Sequence, residues 1–125
     1  MTNLTSKELE AIYKVADLMV FADGKVLPEE VATVEEAMNK AGVANLREQE
    51  AIKVNALKMS DAECYGVLAF LDDEQKKFVS SMLGAISSSD GDIDDAELEL
   101  WRDICNKCDL PTMNNRQAIN LFQAF

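Results

Sequence analysis

The sequence predicts an all-α protein, a compact bundle of about seven helices. Three observations carry this. Apolar residues recur three and four positions apart along the whole chain, and no stretch alternates with period two. Only two prolines and five glycines occur in 125 residues, which favours long regular elements. Five segments open on a side-chain oxygen with Glu or Gln three residues later, the spacing of a capping box.

The elements follow in order. Thr5 with Glu8 opens a first helix, whose buried stripe is Leu9, Ile12, Tyr13, Ala16, Met19 and Val20. Pro28 suits a first helical position, where its missing N–H costs nothing, and Glu30 falls at the third. Val31, Val34, Met38 and Ala41 form that helix's stripe, and Gly42 ends it. Asn45 with Glu48 starts a third helix on Leu46, Ile52, Ala56 and Met59. Ser60 with Glu63 starts a short fourth on Cys64, Val67, Leu68 and Leu71. Asp72 with Gln75 starts a fifth on Phe78, Val79, Met82, Leu83 and Ile86, and Asp73 and Glu74 read as its acidic first turn. Asp94 with Glu97 starts a sixth, on Leu98, Trp101, Ile104, Cys105 and Cys108, stopped by Asp109-Leu110-Pro111. Met113, Ala118, Ile119 and Phe122 form a last stripe, and Leu121, Phe122 and Phe125 are expected to close the core.

The chain contains a repeat. "VFADGKVLPEE" from Val20 lies over "SSSDGDIDDAE" from Ser87, an offset of 67 residues. Asp23 falls on Asp90, Gly24 on Gly91, Val26 on Ile93 and Glu30 on Glu97. The register holds through Val34 with Trp101, Met38 with Cys105, and Asn39-Lys40 with Asn106-Lys107. The expected organisation is one domain over 1–125, with repeat one at about 5–59 and repeat two at about 73–125. Each repeat is a helix, an Asp-Gly turn and a helix, and the two are expected to sit pseudo-symmetrically around one core.

Charge limits the function. The formal net charge is −11, which repels nucleic acid and anionic lipid and suits cations or a protein with a basic surface. No apolar run reaches the roughly 18 residues of a membrane span, and "MTNLTSKELE" has no signal-like apolar region. Three cysteines cannot all pair within one chain, so a reduced, cytoplasmic setting is expected. There is no histidine for general base work and no glycine-rich phosphate loop, so no enzyme is expected. "CNKC" at Cys105–Cys108 lacks the further ligands zinc needs and continues the stripe of Trp101, so it reads as core.

The Asp-Gly turns admit two readings. Six of the ten residues from Asp90 to Glu99 are acidic. Placing Gly91 at position six of an EF-hand loop puts Ile93, Asp94 and Glu97 where that loop needs them, but Ile86 fills the first ligand position. In the first copy Met19 and Phe21 fill positions one and three, so neither turn is a true EF-hand. The other reading is structural. Glycine takes positive φ, Val26 or Ile93 anchors the connection, and Glu30 or Glu97 meets the free N–H groups of the next helix. That reading leaves the crowding of Asp90, Asp92, Asp94 and Asp95 to a cation, a basic partner or solvent.

"ADGKVLPEE" (22–30) and "SDGDIDDAE" (89–97) resemble the Asp-Gly-x-aliphatic-x-x-x-Glu turns of the TerB-like tellurite-resistance family. The resemblance runs through both repeats and implies an all-helical bundle of two helical repeats. It implies a stress- or tellurite-resistance module that senses or chelates metal through acidic residues. By motif these are Asp23, Glu30, Asp90 and Glu97. Ser89 in place of alanine and the extra acids Asp92, Asp94 and Asp95 depart from the commoner pattern. Nothing resembles a J-domain, so the co-chaperone role of some relatives does not carry over. The expectation is a non-catalytic module holding a weak divalent cation (calcium, magnesium or manganese) through Asp23, Glu30, Asp90, Asp92, Asp94 and Glu97. The alternative is a metal-free acidic adaptor for a basic protein, and a carboxylate-based hydrolase ranks last.

Overall fold

The computed structural model describes residues 3–43, 45–89, 91 and 94–125. They form seven helices and no strand: α1 (Ser6–Val20), α2 (Pro28–Lys40), α3 (Leu46–Lys58), α4 (Asp61–Ala69), α5 (Asp73–Ser87), α6 (Asp95–Cys108) and α7 (Asn115–Ala124). Among the described residues, no helix is long and apolar enough to cross a membrane. Shifted by 67 residues, the bounds of α1 become those of α5, and 28–40 becomes 95–107, inside α6.

Helices α1 and α5 touch each other at the centre. Helices α2, α3, α4 and α6 pack on α1, while α2, α6 and α7 pack on α5. One continuous apolar cluster runs through all of them, from Ala11 and Ile12 to Phe122. The predicted stripe of α5 is buried, but so is every other residue from Phe78 to Ser87. The sequence shows why. Ser80, Ser81, Gly84, Ala85 and Ser87 are small, so neighbouring helices approach the backbone on all sides. Their hydroxyls do not enter the core unbonded: Ser81 Oγ donates to the Phe78 carbonyl (2.8 Å), Ser87 Oγ to Gly84 (2.9 Å) and Ser80 Oγ to Pro111 (2.6 Å). At the C-terminus Phe122 is buried, and Phe125 stands edge-on to Phe78 with ring centres 5.3 Å apart.

The caps sort into kept and altered. Thr5–Glu8 and Asp72–Gln75 are complete capping boxes, and Asn114–Gln117 is a further one that the pattern analysis passed over. Ser60 takes the Glu63 N–H, but the Glu63 carboxylate turns outward to Lys7 instead of back. Asn45 and Asp94 accept one position earlier than a box requires, from Arg47 N–H (2.8 Å) and Ala96 N–H (2.7 Å). Three apolar assignments are corrected. Leu46, Val26 and Val31 are exposed: Leu46 opens α3 on its outer side, Val26 leaves the turn without reaching the core, and Val31 lies on the outer side of the first turn of α2.

Both turn glycines have positive φ, +77° at Gly24 and +85° at Gly91, with open space where a Cβ would stand. Substitution there meets no clash, so its cost is purely that of the left-handed backbone. Gly24→Ala and Gly91→Ala should each destabilise by more than about 1 kcal/mol in urea unfolding. A stabilising result at either site would mean that its turn is not held in this conformation.

Candidate functional site

The acidic turns come first. In the first, Asp23 Oδ1 accepts the Lys25 backbone N–H at 2.9 Å, a side-chain-closed turn that brings the chain from α1 to α2. Glu30, the third residue of α2, is 1% exposed, and its Oε1 accepts the Leu27 N–H at 3.1 Å. In the second, Asp94 caps α6 through the Ala96 N–H, and Glu97, again third in its helix, is 4% exposed. A carboxylate at this position meets free N–H groups and the positive end of the helix dipole, which offsets part of its burial. Asp90, Asp92 and the anchor Ile93 lie outside the described residues. Among the described residues, no three acidic or thiol side chains gather into a metal-holding group. Asp95 and Glu99 are exposed on the first turns of α6.

The thiols are core groups. Cys64, Cys105 and Cys108 are free and buried. Burial pushes the Cys64 thiol up to about 12, with a smaller push from Cys108, and pushes Cys108 up to about 11, with a smaller push from Cys105. They are therefore protonated at neutral pH and poor nucleophiles or metal ligands.

A second feature was missed by periodicity. A groove of about 180 Å³ opens between α1, α2 and α3, beside the first Asp-Gly turn. Its apolar mouth is Phe21, Val26 and Val31, which are 55%, 49% and 40% exposed. Tyr13 and Asp17 of α1 and Val34 and Glu35 of α2 form its walls. The signal lies in the repeat register. Tyr13, Asp17 and Phe21 stand where the second copy has Ser80, Gly84 and Ser88, and Val34 stands where it has Trp101. In this sequence register the two copies exchange large for small residues.

Asp17 is the charged group on the α1 side of the groove, which Glu35 of α2 and Lys53 of α3 also line. Burial raises its pKa, and Lys14 and then Lys53 draw it back. Both lysines are held by other carboxylates, Lys14 by Asp61 (3.7 Å) and Lys53 by Glu50 (3.5 Å). Among the described residues Asp17 itself forms no salt bridge. Tyr13 is also raised, first by burial and then by the charges of Asp17, Glu50 and Glu35. The raised folded-state pKa of Asp17 means its charge opposes folding above that pKa, and the penalty vanishes as pH falls through the unfolded value. Asp17→Asn should therefore stabilise the protein near neutral pH, by about 0.5 kcal/mol once its partial exposure is discounted. Thermal melting across pH checks this: the gain should disappear in acid, and a loss at neutral pH would contradict it.

Comparison with known proteins places these features. A family model described as "Tellurite resistance protein TerB" matches residues 8–120. The crystal structure of a protein of unknown function from Porphyromonas gingivalis W83 is similar over 100% of both chains, with a TM-score of 0.85 at 38% identity. No curated protein matches the chain.

Proposed function

The chain belongs to the TerB family and is a tellurite-resistance-related module, and from that premise we propose that it acts as a non-catalytic adaptor whose acidic second turn docks a protein with a basic surface. One observation carries this: the described carboxylates with ligand-like spacing are taken up by the fold, while exposed acids remain beside them. Asp23 and Asp94 close backbone turns, and Glu30 and Glu97 lie inside at helix starts. Asp95 and Glu99 face solvent in a chain of net charge −11. Such a face attracts basic surfaces and sets association rate and salt dependence.

Cation sensing is the competing reading, favoured by the crowding of acids between Asp90 and Glu99. It assigns a weak site to Asp90, Asp92, Asp94 and Glu97, with Asp23 and Glu30 as the first-turn counterpart. With Ile86 at the first ligand position, its affinity would be no tighter than about 10⁻⁴ M.

Two titrations separate the readings. A blocked oligolysine peptide should shift amide signals between residues 94 and 99 of the labelled protein, with an effect that fades in salt. Asp95→Asn with Glu99→Gln should remove it. Calcium, magnesium and manganese should produce no stabilisation beyond sodium chloride of matched ionic strength. An ion that adds roughly 1.4 kcal/mol over that control at ten times its Kd would establish the cation reading instead.

A further inference from the structure

We propose that the groove between α1, α2 and α3 docks a segment of a partner protein that carries an aromatic side chain beside a basic one. This rests on the reading of the chain as a binding module but not on its acidic second turn.

The sequence register of the repeat pairs the groove's inner wall with the surroundings of Trp101. There the Trp101 indole lies against α5 so closely that a Cβ on Gly84 would stand 2.7 and 2.8 Å from its ring atoms Cη2 and Cζ2. Its Nε1 donates to Ser80 Oγ at 3.3 Å. In the first repeat the same register places Asp17, Val34 and Tyr13 at these positions, and all three line the open groove. Val34 is buried and shorter than an indole, and the larger Tyr13 and Asp17 take up part of the difference, leaving a groove of about 180 Å³ that is apolar at its mouth. An aromatic side chain from outside would occupy that remaining space.

The charge at the site selects its neighbour. Asp17 is half-buried without a salt bridge among the described residues, Glu35 stands on the facing helix, and the one lysine of the lining, Lys53, is paired with Glu50 (3.5 Å), so two carboxylates face one engaged cation. A cation entering beside the ring would pair with a carboxylate that the fold leaves partly desolvated. The second repeat makes the opposite choice, because Arg102 occupies the register position of Glu35. The space outside Trp101 there, lined by Leu98 and Arg102, would repel the same ligand.

The size of the apolar surface points to a chain segment. Phe21, Val26 and Val31 extend the apolar wall out of the groove onto the surface, where a free aromatic amine would leave them uncovered. A second copy of this chain is disfavoured, because each brings a net charge of −11.

The test uses the isotopically labelled full chain and a blocked peptide of sequence Arg-Ala-Trp-Ala-Arg. Amide signals of Phe21, Val31 and Val34 should move and saturate at concentrations of about 1 mM or below, the range of a single-anchor contact. Peptides with alanine for tryptophan, or glutamate for both arginines, should bind at least about threefold more weakly. Asp17→Asn with Glu35→Gln should weaken binding by a similar factor while the melting temperature holds or rises, which a merely structural role for Asp17 would not give. Val34→Trp with Asp17→Gly and Tyr13→Ser should give these three positions the residues of the second repeat and close the groove; if it fails to fold, the charge variant still decides. Equal binding by the alanine peptide, equal binding by tryptamine alone, or no effect of the charge variant would overturn the proposal. Shifts confined to residues 94–99 would also overturn it and leave the acidic-turn adaptor standing.

Discussion

Trp101→Ala should cost about 3–5 kcal/mol of stability, the range for removing a large buried aromatic side chain. Trp101 is buried on the stripe it shares with Ile104, Cys105 and Cys108, and it joins α6 to the centre of the bundle at Gly84. The loss is expected to come from packing more than from hydrogen bonding. Ser80 Oγ, which accepts the indole N–H, keeps its own bond to the Pro111 carbonyl when the ring is gone. Trp101 is the one tryptophan in the chain, so unfolding must be followed by circular dichroism instead of fluorescence. A loss below about 1 kcal/mol, typical of surface changes, would remove Trp101 from the core.

Gly84→Ala should destabilise by about 3 kcal/mol, at the upper end for overpacking. In an ordinary helix interior the change would gain about 1 kcal/mol from helix propensity. Here the added Cβ would run into the Ala118 Cβ of α7 and the Trp101 ring at once. Neither is the free end of a flexible side chain. Ala118 can yield only if α7 moves, and the indole is wedged between helices. Combining Gly84→Ala with Trp101→Ala should therefore cost less than the sum of the two, by about 1 kcal/mol or more, because the second change clears space for the first. Additive losses in urea unfolding would show that the two residues do not share this contact.

Much of the fold is legible in the sequence because it is local. Helical spacing is a property of residues three and four apart, so the seven helices follow from patterns such as Ile12, Ala16, Met19 and Val20 without knowledge of any partner. The Asp-Gly turns are legible for the same reason. Only glycine takes the positive φ of Gly24 and Gly91 without strain, and a glutamate three residues into a helix reaches its own N-terminus. The family resemblance was carried by those turns. What failed locally failed by small margins of geometry: Asn45 and Asp94 bond one N–H earlier than the spacing implied.

The tertiary structure decided everything that depends on two distant segments meeting. Ser80, Ser81 and Ser87 lie outside the apolar stripe of α5, yet they are buried because their hydroxyls bond to backbone carbonyls and their size admits neighbours from every side. Glu30 and Glu97 admit both a ligand role and a helix-start role in the sequence, and only packing reveals that both are buried. The groove was invisible to any single pattern because it results from a mismatch between helices. The sequence alone determined which residues differ between the copies, Asp17 against Gly84 and Val34 against Trp101. That one exchange leaves a ring buried and the other an open space with a half-buried carboxylate is a matter of helix separation, and helix separation is set by the side chains of both partners together.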